Sequence, residues 1–270
     1  MKNPLKSGFS LLELLVAIAV IAGLSAVGLA GVRKMMERCH CLVEMNASRN
    51  LIAGYLNHAA ENCGRVLAGY RSDPSVQNFE GKPLHDPINA RYPWRLAPNV
   101  PKIKGVMLFN GTESVLNQPD RDYMVSVQPN MGINATLVGG HFGSGSPLPP
   151  TPRILEVYGD FYLSRTNQAK QPESLVVFAS ARSKPGAVGY FEVRPPQLTR
   201  RVWNTTSHKK AVSAIDHGFV DFRWRGRAVV ANLAGNVELL DEEDLRDMRR
   251  WSHQAQDLDL ADFLIIPKPQ

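Results

Sequence analysis

The sequence predicts an α+β protein in which one long N-terminal helix packs on an antiparallel β-sheet head. Residues 9–32 form a nearly unbroken apolar run, and residues 35–62 contain no proline and keep a helical spacing. The remainder alternates short apolar runs with glycine and proline, which is typical of strands joined by turns. These observations divide the chain into a short polar segment at 1–8, an apolar helix at 9–32, a helical stalk at 33–63 and an α+β head at 64–270.

The apolar run is long enough to cross a bilayer as a helix, which takes about 20 residues. A short polar segment with Lys2 and Lys6 precedes it, which favours a cytoplasmic N-terminus by the positive-inside rule. Two interpretations are open: a secretory signal peptide cut among the small residues near 26–31, or a helix that the mature protein retains. Glu13 favours the retained helix, because a lone carboxylate in lipid costs several kcal/mol and needs a partner.

The segment from Gly8 to Glu13 reads Gly-Phe-Ser-Leu-Leu-Glu and follows a basic leader. It resembles the prepilin signal of type IV pilins and type II secretion pseudopilins. The resemblance implies that a prepilin peptidase cuts after Gly8 and methylates the new amine of Phe9, so that Glu13 becomes the fifth mature residue. It also implies a structural subunit rather than an enzyme.

The same resemblance implies a location and a set of partners. The protein would lie in the bacterial inner membrane as a single-pass protein with its head in the periplasm, or in a pilus-like filament. Its partners would be prepilin peptidase, other pilin-like subunits and inner membrane lipid. Both a type II secretion system and a type IV pilus-like assembly fit this expectation.

Electrostatics gives Glu13 a physical role in such an assembly. Cleavage after Gly8 would place a positive amine on Phe9, about 6 Å from Glu13 along the axis of one helix. In an assembly, the amine of an incoming subunit can instead reach the Glu13 carboxylate of its neighbour. Because desolvation makes the unpaired charge costly, this hypothesis explains ordered addition of subunits.

Residues 35–62 continue the helix as a stalk. Gly64 supplies a stop signal, so the sequence predicts one helix from about Phe9 to Asn62. Apolar residues at three- and four-residue steps, with a gap near Arg49, predict the face that packs on the head. The predicted stripe consists of Leu42, Met45, Ile52, Leu56, Ala59 and Cys63.

The chain has three cysteines, Cys39, Cys41 and Cys63. The odd number excludes complete pairing within one chain, and no Cys-x-x-Cys motif is present. Cys63 would lie about 36 Å from Cys39 along a straight helix, whereas a disulfide needs Cα atoms within about 7 Å. The sequence therefore predicts that Cys63 does not pair with Cys39 or Cys41 in the same chain and that the three cysteines are small packing residues of the helix, with an intermolecular disulfide as the alternative.

The head has eight candidate strands and one candidate hairpin turn at residues 233–235. The acidic residues 241–244 predict the start of a short helix, because acids are stabilised at a helix N-terminus. A calcium site that adds Asp247 is the alternative, although no spaced oxygen pattern supports it. The candidate strands are 106–109, 123–127, 154–157, 175–179, 189–193, 219–223, 227–232 and 236–240.

A second resemblance lies near the C-terminus. The stretch DFRWRGRAVVANLAGNVELLDEEDLRDMRRW is similar to the end of a pseudopilin-like group common in planctomycetes and verrucomicrobia. That group carries a histidine, nine residues and then Asp-Gly, whereas here Trp224 and Ala234 replace the histidine and the aspartate and Gly235 is kept. Residues 91–98 and 130–140 also resemble segments of that group. Any chemistry of the histidine and aspartate is therefore not expected here.

The sequence predicts no catalytic residue, no cofactor and no metal site. None of the seven histidines has a ligand-spaced partner, and no phosphate loop or dinucleotide fingerprint is present. The segment at 143–152 lacks the spacing of a hydrolase nucleophile elbow. The net charge is +6, but the basic clusters are short, so no nucleic acid partner is predicted. The alternatives to a structural subunit are a membrane-tethered periplasmic ligand-binding module that does not polymerise and, less favoured, a tethered enzyme.

Overall fold

A computed structural model describes residues 11–205 and 213–268, apart from the side chains of residues 26–30. The contacts divide the chain into two compact units, Met1–Leu42 and Val43–Gln270. Helix α1 (Leu11–Glu61) contributes residues to both units. Its end agrees with the predicted one within one residue, while the predicted start at Phe9 lies outside the described residues.

The end of α1 is a left-handed turn that satisfies its last carbonyl groups. The Gly64 amide donates to the Ala59 carbonyl at 2.8 Å, and the Asn62 amide donates to that of His58 at 3.1 Å. Cys63 (φ 55°) and Gly64 (φ 78°) both lie in the left-handed region. The hydrogen bond from the Gly64 amide to the carbonyl five residues earlier is typical of the Schellman motif, in which the position of Cys63 usually holds glycine.

Replacing Cys63 by glycine is expected to stabilise the protein by about 0.5–1 kcal/mol. The left-handed conformation costs a residue with a Cβ about 1–2 kcal/mol, and the greater freedom of glycine in the unfolded chain cancels part of the gain. Urea unfolding of the purified chain measures the change. Cys63→Ala removes the same thiol but keeps the Cβ, so a gain of equal size in Cys63→Ala would contradict the backbone explanation.

Five strands in the described residues form one mixed sheet in the order β3-β1-β2-β4-β5. The pairs β1–β2, β2–β4 and β4–β5 are antiparallel. The edge strand β3 runs parallel to β1. The sequence predicted a wholly antiparallel sheet, which is wrong for this one pair. The strands are β1 (Met131–Asn134), β2 (Val176–Ser180), β3 (Glu192–Val193), β4 (Arg227–Asn232) and β5 (Val237–Asp241).

Short helices surround the sheet, and several lie in long connections. They are α2 (Tyr92–Leu96), α3 (Arg121–Val127), α4 (Pro152–Tyr158), α5 (Glu242–Arg246) and α6 (His253–Leu258). The 3₁₀ helices are Ala97–Asn99, Thr112–Asn117, Thr166–Gln168, Ala214–His217 and Met248–Arg250. The long helix followed by a sheet makes the described chain α+β, as the sequence predicts.

The predicted hairpin between 227–232 and 236–240 is confirmed as β4 and β5. The two strands pair from Arg227 opposite Asp241 to Ala231 opposite Val237. The Asn232 amide donates to the Asn236 carbonyl at 3.0 Å, and Gly235 (φ 91°) takes the left-handed position of the turn. Of the other candidates, 175–179 lies within one residue of β2, whereas only the last two residues of 189–193 form β3.

Two predicted strands are helices instead. The segment 123–127 belongs to α3, and 154–157 belongs to α4. The Thr151 hydroxyl accepts a hydrogen bond from the Ile154 amide at 3.3 Å, and a proline follows at the first helical position. These cap signals outweigh the strand preference of a short apolar run.

Two further predicted strands are not strands in the structure. Ile103 accepts hydrogen bonds from the three amides of residues 106–108, and Gly105 (φ 82°) allows the chain to reverse there. Residues 219–223 form only an isolated bridge between Val220 and Ala181. Strand β1 was not predicted, because all four of its residues are buried and it has no alternation of apolar and polar side chains.

The face of α1 that packs on the head differs from the predicted stripe. Leu42 and Cys63 are exposed and only Ile52 and Ala59 of that stripe are buried. The buried face instead consists of Glu44, Ala47, Ser48, Leu51, Ile52, Tyr55 and Ala59. The prediction was wrong because it used apolar residues alone and passed over the buried polar side chains of Glu44 and Ser48.

Aromatic residues fix α1 on the sheet and fill the core behind it. The Tyr55 ring meets the Phe178 ring of β2 edge to face, with centroids 5.5 Å apart. Deeper in the head, the rings of Trp203 and Trp251 pack at 6.0 Å, and both residues are buried. Large aromatic side chains contribute much of the buried apolar area that stabilises a domain.

Candidate assembly segment and buried polar network

The structure places Glu13 in the first turn of α1, with its side chain exposed. An acid at this position interacts favourably with the positive end of the helix dipole. Leu11 and Leu12 beside it are 83% and 73% exposed. The other two predicted site residues, Gly8 and Phe9, lie outside the described residues, so the geometry of a cleavage site is not described.

The part of α1 that follows Glu13 is apolar around its whole circumference. A helix that is apolar on every side belongs in lipid or inside a larger assembly. The exposed large apolar residues of this segment are Leu14, Leu15, Val16, Ile18, Val20, Ile21, Leu24 and Val32. Within residues 11–205 and 213–268, however, no helix meets the length and apolarity that a membrane span requires.

No disulfide joins Cys39, Cys41 and Cys63, all of which the structure describes. Cys39 and Cys63 are exposed, and Cys41 is half-buried.

Two histidines contact carboxylates, whereas the sequence predicted isolated histidines. His217 Nε2 lies 3.2 Å from Glu242 Oε1, and His141 Nε2 lies 3.6 Å from Glu192 Oε2. Burial lowers the pKa of His141 to about 4, so this ring is neutral near neutral pH. In the part of the chain that the structure describes, no group of three or more His, Cys, Asp or Glu side chains could hold a metal ion.

The acidic segment at 241–244 begins α5, as the sequence predicts. The Asp241 carboxylate accepts from the Asp244 amide at 2.9 Å, and that of Asp244 accepts from the Asp241 amide at 3.3 Å. This reciprocal pair is a capping box. Trp224 and Ala234, which replace the histidine and aspartate of the resembling group, are half-buried and exposed.

Glu44 is the centre of a buried polar network that the sequence analysis missed. Its carboxylate is fully buried and accepts a short hydrogen bond from the Ser180 hydroxyl of β2. The Val229 amide of β4 donates to the same hydroxyl oxygen at 2.9 Å. One turn further along α1, the buried Ser48 hydroxyl donates to the Glu44 carbonyl at 2.8 Å. Polar contacts therefore fix the register of α1 on two strands.

Arg223 supplies the positive charge of this network. Its Nη1 lies 3.9 Å from Glu44 Oε2, and its Nε lies 3.1 Å from Asp221 Oδ2. Its Nη2 donates to the Ala181 carbonyl at 2.7 Å. Burial raises the pKa values of Glu44 and Asp221, and the Arg223 charge opposes both shifts.

A signal for this network was present in the sequence but was ambiguous. Glu44, Ser48, Leu51 and Tyr55 follow the three- and four-residue steps of one helix face. A polar residue on such a face is usually exposed, so the pattern alone did not predict burial.

Comparison with known proteins identifies the N-terminal part of the chain. A family model described as the prokaryotic N-terminal methylation motif matches residues 4–30. Comparisons with curated proteins and with solved structures found no match. The matched range includes Gly8, Phe9 and Glu13, the three residues that the sequence analysis selected.

Proposed function

We propose that this type IV pilin-like protein is a structural subunit of a type II secretion or type IV pilus-like assembly. It combines a prokaryotic N-terminal methylation motif with a long helix and a β-sheet head. The proposal rests mainly on one observation. The motif at residues 4–30 overlaps a helical segment whose apolar side chains are exposed and whose first turn holds Glu13. An exposed apolar helix needs a lipid or protein environment, and the motif belongs to proteins that are anchored in a membrane and assemble.

The proposed maturation assigns a role to each part of the chain. Prepilin peptidase removes the leader at 1–8 by cutting after Gly8 and methylates Phe9. Residues 9–32 then form the transmembrane and assembly helix, residues 33–63 the stalk and residues 64–270 a periplasmic head. The mature protein is a single-pass protein of the bacterial inner membrane, and other pilin-like subunits are its partners. Its role is structural rather than enzymatic.

Mass spectrometry of the mature N-terminus tests this proposal. In a host with active prepilin peptidase, the first residue is expected to be N-methylated Phe9. The matched control is the same chain expressed in a peptidase-deficient strain, where the leader is expected to remain. A chain that keeps Met1 in the competent host, or that is cut near residue 30, would contradict the proposed processing.

The second candidate is a tethered binding module that does not polymerise. An open cavity of the head favours it, because four arginines and one carboxylate line this cavity and convergent polar groups in a concave site are typical of ligand binding. Chemical crosslinking in membranes separates the two functions. A ladder of crosslinked oligomers supports assembly, whereas a monomer under the same conditions supports the binding module.

A further inference from the structure

The second unit contains an open cavity of about 680 Å³. Its walls are the last turns of α1, the segment 65–74, Arg95 and residues between 139 and 165. This volume lies within the range of about 300–1,000 Å³ that is usual for small-molecule sites. The cavity is separate from the Glu44 network and from the residues of the proposed assembly segment.

Four arginines line the cavity: Arg65, Arg71, Arg95 and Arg165. Asp73 is the single carboxylate among its lining residues, so the formal charge is four minus one, or +3. Among the described residues, no carboxylate forms a salt bridge within 4.0 Å of any of the four. Other arginines of the head do have such partners; Arg194, for example, lies 2.7 Å from Glu192.

The one carboxylate offsets only one of the four positive charges. Asp73 accepts from the Ser75 hydroxyl at 2.6 Å and from the Ser75 amide at 3.0 Å. These hydrogen bonds, together with the nearby charges of Arg95 and Arg71, lower the pKa of Asp73. Burial lowers the pKa of His58, and the Arg95 charge adds to that shift. The His58 ring therefore adds no charge to the cavity at neutral pH.

Arg95 forms the floor of the cavity in a partly desolvated state. Its Nη1 donates to the Ala68 carbonyl at 2.8 Å and to the Ala90 carbonyl at 3.3 Å. Its Nε is buried and donates to no described residue. Burial lowers the pKa of Arg95 to about 10; the Asp73 carboxylate opposes this shift, and the neighbouring Arg71 adds to it. An anion in the cavity would therefore stabilise a charge that the protein compensates only in part.

Two arginines at the rim are held in place before any ligand binds. The Arg71 guanidinium lies over the Phe142 ring, 5.2 Å from its centroid. The Phe142 ring packs edge to face on the Tyr162 ring at 6.1 Å. Arg165 Nη1 donates to the Cys63 carbonyl at 2.8 Å. Held guanidinium groups lose less conformational entropy on binding, and the half-exposed Phe142 offers an apolar surface to an organic ligand.

We propose that this cavity binds a small organic anion that carries two or more oxyanion groups, which are phosphate, sulfate or carboxylate. A guanidinium fork matches such groups through paired hydrogen bonds. A charge of +3 spread over four arginines is not satisfied by a single monovalent group. The site does not depend on processing of the N-terminus or on assembly.

Isothermal titration calorimetry of the purified full chain in non-ionic detergent tests the site. The probes are inorganic tripolyphosphate, citrate and inorganic phosphate. At least one of tripolyphosphate and citrate is expected to bind at least about tenfold more tightly than phosphate, because it can contact several arginines at once. Comparison of these two multivalent probes distinguishes a phosphate from a carboxylate ligand.

The double variant Arg71→Gln/Arg165→Gln is expected to weaken binding of that probe at least about tenfold. The matched control is Arg153→Gln/Arg200→Gln, which removes the same charge from two exposed positions outside the cavity. Circular dichroism checks that both variants fold. Lack of binding by both multivalent probes, or an equal loss of affinity in the control, would overturn the proposal, since an equal loss indicates attraction to net charge alone.

Discussion

Replacing Arg223 by methionine is expected to destabilise the protein by about 3 kcal/mol at pH 7.5, because two buried carboxylates lose the cation that they share. Glu44 is fully buried, and Asp221 is 8% exposed. Arg223 lies within 4.0 Å of both carboxylates in the structure. Methionine fills a similar apolar volume, so the loss reports the charge rather than a cavity.

The destabilisation is expected to shrink as the pH falls towards about 4.5. Burial raises the pKa of Glu44 and that of Asp221 above their ordinary values, and Arg223 opposes both shifts. Without Arg223 the folded-state pKa values rise further. A carboxylate with a raised pKa favours folding below its unfolded pKa and loses that contribution as the pH rises through the folded pKa. The variant therefore approaches the wild type at acidic pH, as protonation removes the charge of both carboxyl groups.

Urea unfolding followed by tryptophan fluorescence measures the effect, since Trp203 and Trp251 are buried. The matched control is Arg227→Met, at an exposed residue at the start of β4, and it is expected to change stability by less than about 0.5 kcal/mol. The double variant Glu44→Gln/Arg223→Met is expected to recover about half of the loss at pH 7.5. A loss that is the same at both pH values would show that Arg223 stabilises through packing rather than charge.

The sequence predicts those parts of the fold that depend on local signals. Gly64 marks the end of α1, and the glycine-containing turn at 233–235 joins β4 to β5. The acidic run at 241–244 starts α5 through a capping box. Each of these signals lies within a few residues of the structure that it determines, so no tertiary information is needed.

The face of α1 could not be predicted in the same way, because its polar residues are buried by distant partners. Glu44 contacts Ser180, which is 136 residues away in the chain. Only the fold brings that hydroxyl and Arg223 to the helix, so a sequence pattern places Glu44 on the exposed side. The four arginines of the cavity are equally dispersed, and no spacing links them before the chain folds.

Short apolar runs were ambiguous for a related reason. Residues 123–127 and 154–157 are each shorter than two helical turns, so a helix and a buried strand have similar patterns. In 154–157 the capping threonine and proline determine the outcome, and both lie before the apolar run that predicted a strand. Strand β1 shows the opposite error, because burial on both faces removes the alternation that identifies a strand.

Replacing Glu13 by alanine is expected to reduce crosslinked assemblies in the membrane at least about tenfold, while the membrane-bound fraction stays unchanged. A tenfold change corresponds to about 1.4 kcal/mol, which is modest for an ion pair in a low-dielectric environment. In the proposed mechanism the charged amine of Phe9 on one subunit pairs with the Glu13 carboxylate of its neighbour. Alanine removes this ion pair but keeps the helix apolar, so insertion of the helix into the membrane is expected to be unchanged.

Two further variants separate charge from position. Glu13→Gln keeps the size and the hydrogen-bonding groups but not the charge, and it is expected to fail in assembly as alanine does. The matched control Glu37→Ala removes an acid from the same helix beyond the apolar segment and is expected to assemble normally. Crosslinking followed by immunoblotting measures assembly in all three variants.

The mature N-terminus of each variant must also be measured, because a processing defect would imitate an assembly defect. If Glu13→Ala starts at methylated Phe9 and still fails to crosslink, the carboxylate acts after cleavage, as an interaction between subunits requires. If the variant keeps its leader, Glu13 instead contributes to recognition by the peptidase. Normal assembly of a correctly processed Glu13→Ala variant would remove the ion pair from the mechanism and leave apolar packing of the helix segment as the driving force.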